Sequence, residues 1–416
     1  MLNRRNFLGS LAAGGAVLGL SGLGLAESMR PDRKFLFVFA DGGWDPLCVF
    51  APKFNAANIQ MEPGTRAYRI AGHELVHHAS RPQVRDYFER YASDTAIING
   101  LSTRSVSHEV CSVVATTGST RGNTPDWSSL VAQGGNATYS IPSLVLGGPS
   151  FPGQLEVLVS RSGEYLEHLV NIGFPNPLDD DEDEVPRLSA FGNRLDRFVR
   201  QRAKHRRQTA ESQLGRRLSG DIEASVGRLQ RLKSVSGDIN LAVDDLNTQV
   251  DSAIQALSLG LSRSVSIVSE GGFGWDTHED NANQTPLFNG LFTELSRLMA
   301  ALKNTPGQSG QMLIEETTVV VYSEMGRTPL YNETGGRDHW PYTSVMLMGA
   351  GIQGGQTVGQ FDDQFTGVGF DPRTGRPSTS ELGVPAVDLG ATLVHLAGLN
   401  PDQDVPNGRV LHTLLT

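Results

Sequence analysis

The sequence predicts an α/β protein with a doubly wound, mostly parallel central sheet and helices on both faces. Three observations carry that expectation. Short continuous apolar runs recur, such as "KFLFVFA" at 34–40 and "TTVVVYS" at 317–323. Such runs suit strands covered on both faces. Helical stretches alternate with them along the chain, the pattern of βα units. The runs end on glycine-rich loops that carry carboxylates and imidazoles, and open α/β sheets collect their sites at the carboxyl edge.

The elements follow in chain order. Residues 1–26, "MLNRRNFLGSLAAGGAVLGLSGLGLA", combine Arg4-Arg5, Phe7-Leu8 and a weakly hydrophobic Gly/Ala/Leu run. This reads as a twin-arginine export signal, with Gly24-Leu25-Ala26 offering small residues for cleavage. The expected partner is then the Tat translocase, and the expected location is periplasmic or secreted. No later stretch is apolar enough to span a bilayer, so an integral membrane protein is not expected after cleavage. The domain proper runs from 34 to 416. Strands are expected at 34–45, 94–102, 141–148, 317–324 and 343–351. Helices are expected at 107–118, 124–135 and 386–399, with Thr124 or Asp126 as a cap and glycines as terminators. Residues ~176–265 differ. An acidic run, "PLDDDEDEVP" at 177–186, precedes a long basic helical stretch with Leu195, Phe198, Leu214, Leu218, Leu229 and Leu232 near helical spacing. This predicts a helical insertion packed on the sheet, or an arm that meets a partner or acidic surface.

Composition narrows the function classes. The chain has 416 residues, 38% of them hydrophobic, and 47 glycines, which is globular and loop-rich. A net charge of −10 argues against nonspecific nucleic-acid binding, which needs a basic face. Cys48 and Cys111 are too few for a disulfide framework, and one bridge between them stays open.

Four clusters carry chemistry. Asp41 ends the first strand, and Glu324 ends "TTVVVYSE". "FGWDTHEDN" supplies Asp276 and His278, and "GGRDHWP" supplies Asp338 and His339 inside a Gly/Trp/Pro frame that no turn requires. Carboxylates with imidazoles are the ligand set of hydrolytic metal centres. Zinc, manganese, calcium or magnesium is the expected cofactor. Arg327 and Arg337, with Arg104, are candidates for holding an anionic substrate bidentately.

"FVFADGGWD", "SHEV…TTG", "GGFGWDTHEDN", "SEMGRTP", "GGRDHWP" and "VDLGATLVHLAGLNP" occur in this order. Together they resemble the exported bacterial proteins of the domain-of-unknown-function 1501 family, within the alkaline-phosphatase and sulfatase superfamily. The resemblance runs from about residue 34 to the C-terminus and is weakest across 150–265. It implies two metal ions in a crevice at the strand ends. It implies Asp41 as the first-strand ligand, Asp276 and His278 as a carboxylate and imidazole, and His339 as the distant histidine. Glu324 stands where the superfamily usually has an Asp-His pair, and Met325 fills the second position. Asp338 is either a ligand or the partner that orients one. The nucleophile region is "RSVSHEVCSVVATTG", where Ser107 suits a helix-start nucleophile. Counting back from Thr117-Gly118 instead lands on His108, which as a neutral imidazole would ligate metal. The implied activity is hydrolysis of a phosphate or sulfate ester, on a small molecule or a glycan. The alternative is a non-catalytic envelope protein that keeps the fold for binding or assembly.

Overall fold

The computed structural model describes residues 32–134, 139–162, 190–235, 241 and 243–416. The expected export signal and the acidic run at 177–186 lie outside the described residues. Nine strands form the main sheet: β1 (Lys34–Ala40), β2 (Thr95–Ser102), β3 (Ser143–Val145), β4 (Val159–Arg161), β5 (Ser264–Ser269), β6 (Thr317–Ser323), β7 (Tyr342–Gly349), β8 (Gln356–Val358) and β9 (Val384–Pro385). Their order is β8-β2-β7-β6-β1-β5-β3-β4, with β9 also on β2. Only β7 runs against the rest, antiparallel to both β2 and β6. The sheet is therefore mostly parallel, as the continuous apolar runs predict.

The longer helices among the described residues are α1 (Pro82–Tyr91), α2 (His108–Thr117), α3 (Trp127–Gln133), α4 (Ala190–Thr209), α5 (Gln213–Val235), α6 (Leu246–Ser258), α7 (Gln284–Asn304) and α8 (Ala386–Leu396). β1 shows why the sheet needs two helical layers. Leu36, Val38 and Ala40 enter one apolar core with residues of α1, α6 and α7. Phe35, Phe37 and Phe39 enter the other, with residues of α2, α3 and α8. A strand that is apolar at every position from Phe35 to Ala40 has no face it can leave to water, so both faces are covered.

The expected strands and helices form near their predicted limits. Asp126, rather than Thr124, caps α3: its carboxylate accepts from the Ser129 N–H at 2.8 Å. Gly118 closes α2 in the left-handed region, with φ of 68°. Cys48 and Cys111 are both free and buried. The sequence hid β5, because "SVSIVS" alternates serine with apolar residues and reads as half-exposed. Ser264 and Ser266 are buried instead by bonding to the Ser128 hydroxyl. Ser264 lies 2.9 Å from Ser128 Oγ, which lies 3.1 Å from Ser143 Oγ. The α1 helix and the Arg66–Ile70/His73–His77 hairpin were also not anticipated.

At the opposite end of β1 from the loops, Lys34 is buried and donates to Glu316 Oε2 at 2.6 Å. Glu316 also accepts from the backbone N–H groups of Gln308, at 3.2 Å, and Ser309, at 2.7 Å. Burial alone would raise the Glu316 pKa, but Lys34 and Ser309 outweigh it and hold it below its ordinary value. Glu316→Gln leaves an uncompensated buried ammonium. It should cost about 3–5 kcal/mol in urea unfolding at neutral pH. Because the carboxyl is depressed, the wild-type contribution should fade as pH falls through the folded value, so the gap to the variant should narrow in acid. A gap that is small at neutral pH, or independent of pH, would refute the pairing.

Candidate metal centre

Three adjacent parallel strands deliver the carboxylates to one edge. Asp41 follows β1, Asp276 lies in the loop after β5, and Glu324 follows β6. His108 begins α2, after β2 reaches the same edge. Residues 326–327 pair antiparallel with 339–340, so that His339 lies opposite Arg327. The glycines permit close approaches here. Gly42 has φ of 121°, and a Cβ there would meet Asp276 N at 2.7 Å. A Cβ on Gly336 would lie 1.9 Å from the His278 carbonyl oxygen.

Three imidazoles are oriented the same way. His108 Nδ1 lies 2.8 Å from Glu324 Oε1, which also accepts from the Gly42 N–H at 2.9 Å. His278 Nδ1 lies 2.9 Å from Asp338 Oδ1. His339 Nδ1 lies 2.6 Å from the Val106 carbonyl oxygen, which can only accept. Each Nδ1–H is therefore the donor, and in the neutral ring each Nε2 carries a lone pair.

Those lone pairs converge on Asp276. His278 Nε2 is 3.1 Å and His339 Nε2 3.3 Å from Asp276 Oδ1, and His108 Nε2 is 3.4 Å from Oδ2. The Nε2 atoms of His278 and His339 are 2.8 Å apart. His108 Nε2 is buried and makes no hydrogen bond. Lone pairs facing one another and a carboxylate repel unless a proton or a cation lies among them. His108, Asp276 and His339 each offer a ligand atom within 4.8 Å of the other two. Two imidazole nitrogens and a carboxylate make up this triad, and His278 Nε2 borders it beside Asp276 Oδ1. The donor set thus fits a divalent metal.

The electrostatics differ from residue to residue across the set. Burial pushes the Asp276 pKa up, but the Arg327 hydrogen bond and charge outweigh it and hold the carboxylate below its ordinary range. Burial likewise opposes a charged His108, yet its bond to Glu324 and the Glu324 and Asp276 charges raise its pKa. His339 is lowered, chiefly by burial.

Several residues expected as ligands or substrate groups make other contacts in this structure. Glu324, fully buried, and Asp338 hold imidazoles from behind. Asp41 stands beside the set, accepting from the Phe273 N–H at 3.1 Å, with its pKa raised by burial and by the Glu324 charge. Ser107 donates its hydroxyl to Glu109 Oε2 at 2.6 Å. Arg327 and Arg337 are fully buried and do not face a substrate. Arg327 donates to the carbonyls of Gly42, Gly43, Trp275 and Arg337 and to Asp276 Oδ1. Arg337 donates to the carbonyls of Thr328 and Gln60, lies 3.1 Å from Asp45 Oδ2, and stacks on Tyr331. Arg104 is exposed, in the left-handed region. Two contributors went unforeseen. The Val106 carbonyl is a backbone group that no motif marks. The Phe273 ring, 4.5 Å from the His108 ring, lies in a loop where only the neighbouring glycines signalled a close approach.

The model of the family described as "Protein of unknown function (DUF1501)" matches residues 32–411. No curated protein matches the chain. Solved structures share distant likenesses. A phosphonate monoester hydrolase from Silicibacter pomeroyi matches at TM-score 0.42 and 13% identity, over 92% of this chain and 76% of that one. A lipoteichoic acid synthase from Listeria monocytogenes matches at 0.38 and 10%, over 92% and 76%. A sulfatase from Pseudoalteromonas sp. matches at 0.36 and 11%, over 92% and 72%.

The centre makes a direct prediction. Wild-type protein should bind zinc or manganese in calorimetry. His339→Ala and His108→Ala should lose most of that affinity. Glu324→Gln should weaken it by about 10–100-fold, the usual cost of losing a partner that orients a ligand. Equal affinity in wild type and both histidine variants would remove the centre.

Proposed function

The chain belongs to the DUF1501 family, and on that premise we propose that it is a metal-dependent hydrolase of phosphate or sulfate esters. The observation that carries this reading is the convergence of three Nε2 atoms on Asp276. The resemblance to the alkaline-phosphatase and sulfatase superfamily gives the ester class. The substrate is a small molecule or a glycan, and the protein works in the periplasm or outside the cell after export through the twin-arginine route.

His108, His278, His339 and Asp276 would hold the ion, which supplies Lewis-acid polarisation of the ester and a lowered pKa for water. The chain's own residues supply the rest. Glu324, Asp338 and the Val106 carbonyl fix each imidazole in the tautomer that leaves Nε2 free. Arg327 keeps Asp276 ionised. The α2 helix starts at His108, and Ser107 does not cap it through its side chain, so the positive end of the helix is turned to the same edge. With Ser107 bonded to Glu109, direct attack by water is favoured over a covalent path through serine.

The rival is a non-catalytic binding or assembly protein. One observation favours it: both arginines expected to clamp an anion are spent on internal carbonyls. Turnover of an aryl phosphate and an aryl sulfate, measured with added zinc or manganese, separates the two. Hydrolysis that His108→Ala removes, and that Ser107→Ala lowers by no more than about tenfold, supports water attack. Loss of all turnover in Ser107→Ala would restore the covalent path. A wild type that binds metal but turns over no ester would favour the rival.

A further inference from the structure

The α4–α5 hairpin stands apart from the metal centre in both place and charge. Its helices pack on one another through small buried residues, Ala203 on α4 and Ser219 on α5. Arg207 pairs across it with Glu223 at 3.6 Å. Its contacts with the body lie near the base, where Arg228 donates to the Val157 carbonyl at 3.4 Å and Leu232 enters the core. At 23 residues, α5 is about 35 Å long. The turn at 210–212 therefore lies well away from that base.

The distal part is unlike the rest of the chain. Residues 202–223 hold Arg202, Lys204, Arg206, Arg207, Arg216 and Arg217 against three acids, Glu211, Asp221 and Glu223. The whole chain carries −10. On α5, Leu214, Leu218 and Ile222 fall at i, i+4 and i+8, and so share one face. They are 63%, 53% and 46% exposed. Nothing among the described residues covers them. Cations alone would suit any polyanion, and leucines alone would suit any apolar partner. A stripe of large aliphatic side chains among arginines matches the boundary between anionic headgroups and acyl chains. A second copy of the hairpin fits worse, because its own excess of cations would face this one.

We propose that the distal α4–α5 hairpin docks on an anionic lipid bilayer, inserting Leu214, Leu218 and Ile222 while the arginines engage headgroup phosphates. The protein is thereby peripheral: no described helix is long and apolar enough to cross a membrane. The inference does not depend on catalysis at the metal centre.

Co-sedimentation of the full chain with vesicles tests it. Vesicles of phosphatidylglycerol with phosphatidylcholine should carry the protein down, vesicles of phosphatidylcholine alone should not, and raised salt should release it. Leu214→Ser/Leu218→Ser should weaken binding by about tenfold or more, from the lost apolar insertion. Arg206→Glu/Arg207→Glu should weaken it by at least about tenfold, from two reversed charges near the surface. Both pairs lie on the exposed hairpin, and an unchanged circular dichroism melt confirms that each variant is folded. Three results would overturn the proposal. The first is no sedimentation with anionic vesicles. The second is binding that the charge variant abolishes but the leucine variant leaves intact, which marks a soluble polyanion as the partner. The third is a wild-type dimer in light scattering that Leu214→Ser/Leu218→Ser turns to monomer, which marks a second copy.

Discussion

The candidate site depends on one buried guanidinium. Arg327 reaches the carbonyls of Gly42 and Gly43 after β1, of Trp275 after β5, and of Arg337 before β7, and it ion-pairs with Asp276. Those loops leave the sheet separately and share no secondary structure. A planar fork with five donors can gather several carbonyls at once, which a lysine cannot. Burying that charge is tolerable because every neighbour it meets is a carbonyl or a carboxylate. The same contact that joins the loops also orients Asp276 and keeps it ionised. Arg327 therefore serves both the frame and the electrostatics of the centre, beside Gln284, whose amide donates to the Gly43 and Trp275 carbonyls.

Around that frame the site is built in two layers. Glu324, Asp338 and the Val106 carbonyl each bind the far nitrogen of an imidazole, and Asp276 faces the near ones. Asn332 extends the outer layer. Its amide donates to both the His278 carbonyl, at 2.8 Å, and Asp338, at 3.2 Å, tying two sequence-distant loops at the point where Gly336 passes His278. Side chains locked from behind lose little freedom when a ligand arrives, which is how a site reaches affinity without a large area of contact.

Much of this was legible in the sequence, and the rest was hidden for physical reasons. The strands were visible wherever both faces are apolar, as in β1 and β6. β5 was not, because Ser264 and Ser266 are buried through bonds to the Ser128 hydroxyl that no local pattern reveals. The meeting of Asp276, His278 and His339 was legible from the glycine turns that carry them and from the family resemblance. Their roles were harder. Whether Glu324 ligates or orients depends on which nitrogen of His108 faces it, and that is set by the helix start rather than by motif. The same limit applies to Arg327 and Arg337. An arginine beside a candidate site suggests anion binding, yet both are consumed by backbone carbonyls that the sequence does not mark. Ser107 fits the position of a nucleophile, but a glutamate two residues on takes its hydroxyl.

On the proposed reading, three imidazoles, each fixed through Nδ1, leave their Nε2 atoms and Asp276 to hold one cation. Diffraction at the zinc absorption edge, from crystals grown with zinc, tests it most directly. An anomalous peak is expected within bonding distance of Asp276 and of the Nε2 atoms of the three histidines, with Glu324 and Asp338 still on the Nδ1 side. A zinc-bound crystal with no peak there, or with zinc on an Nδ1 atom, would contradict it.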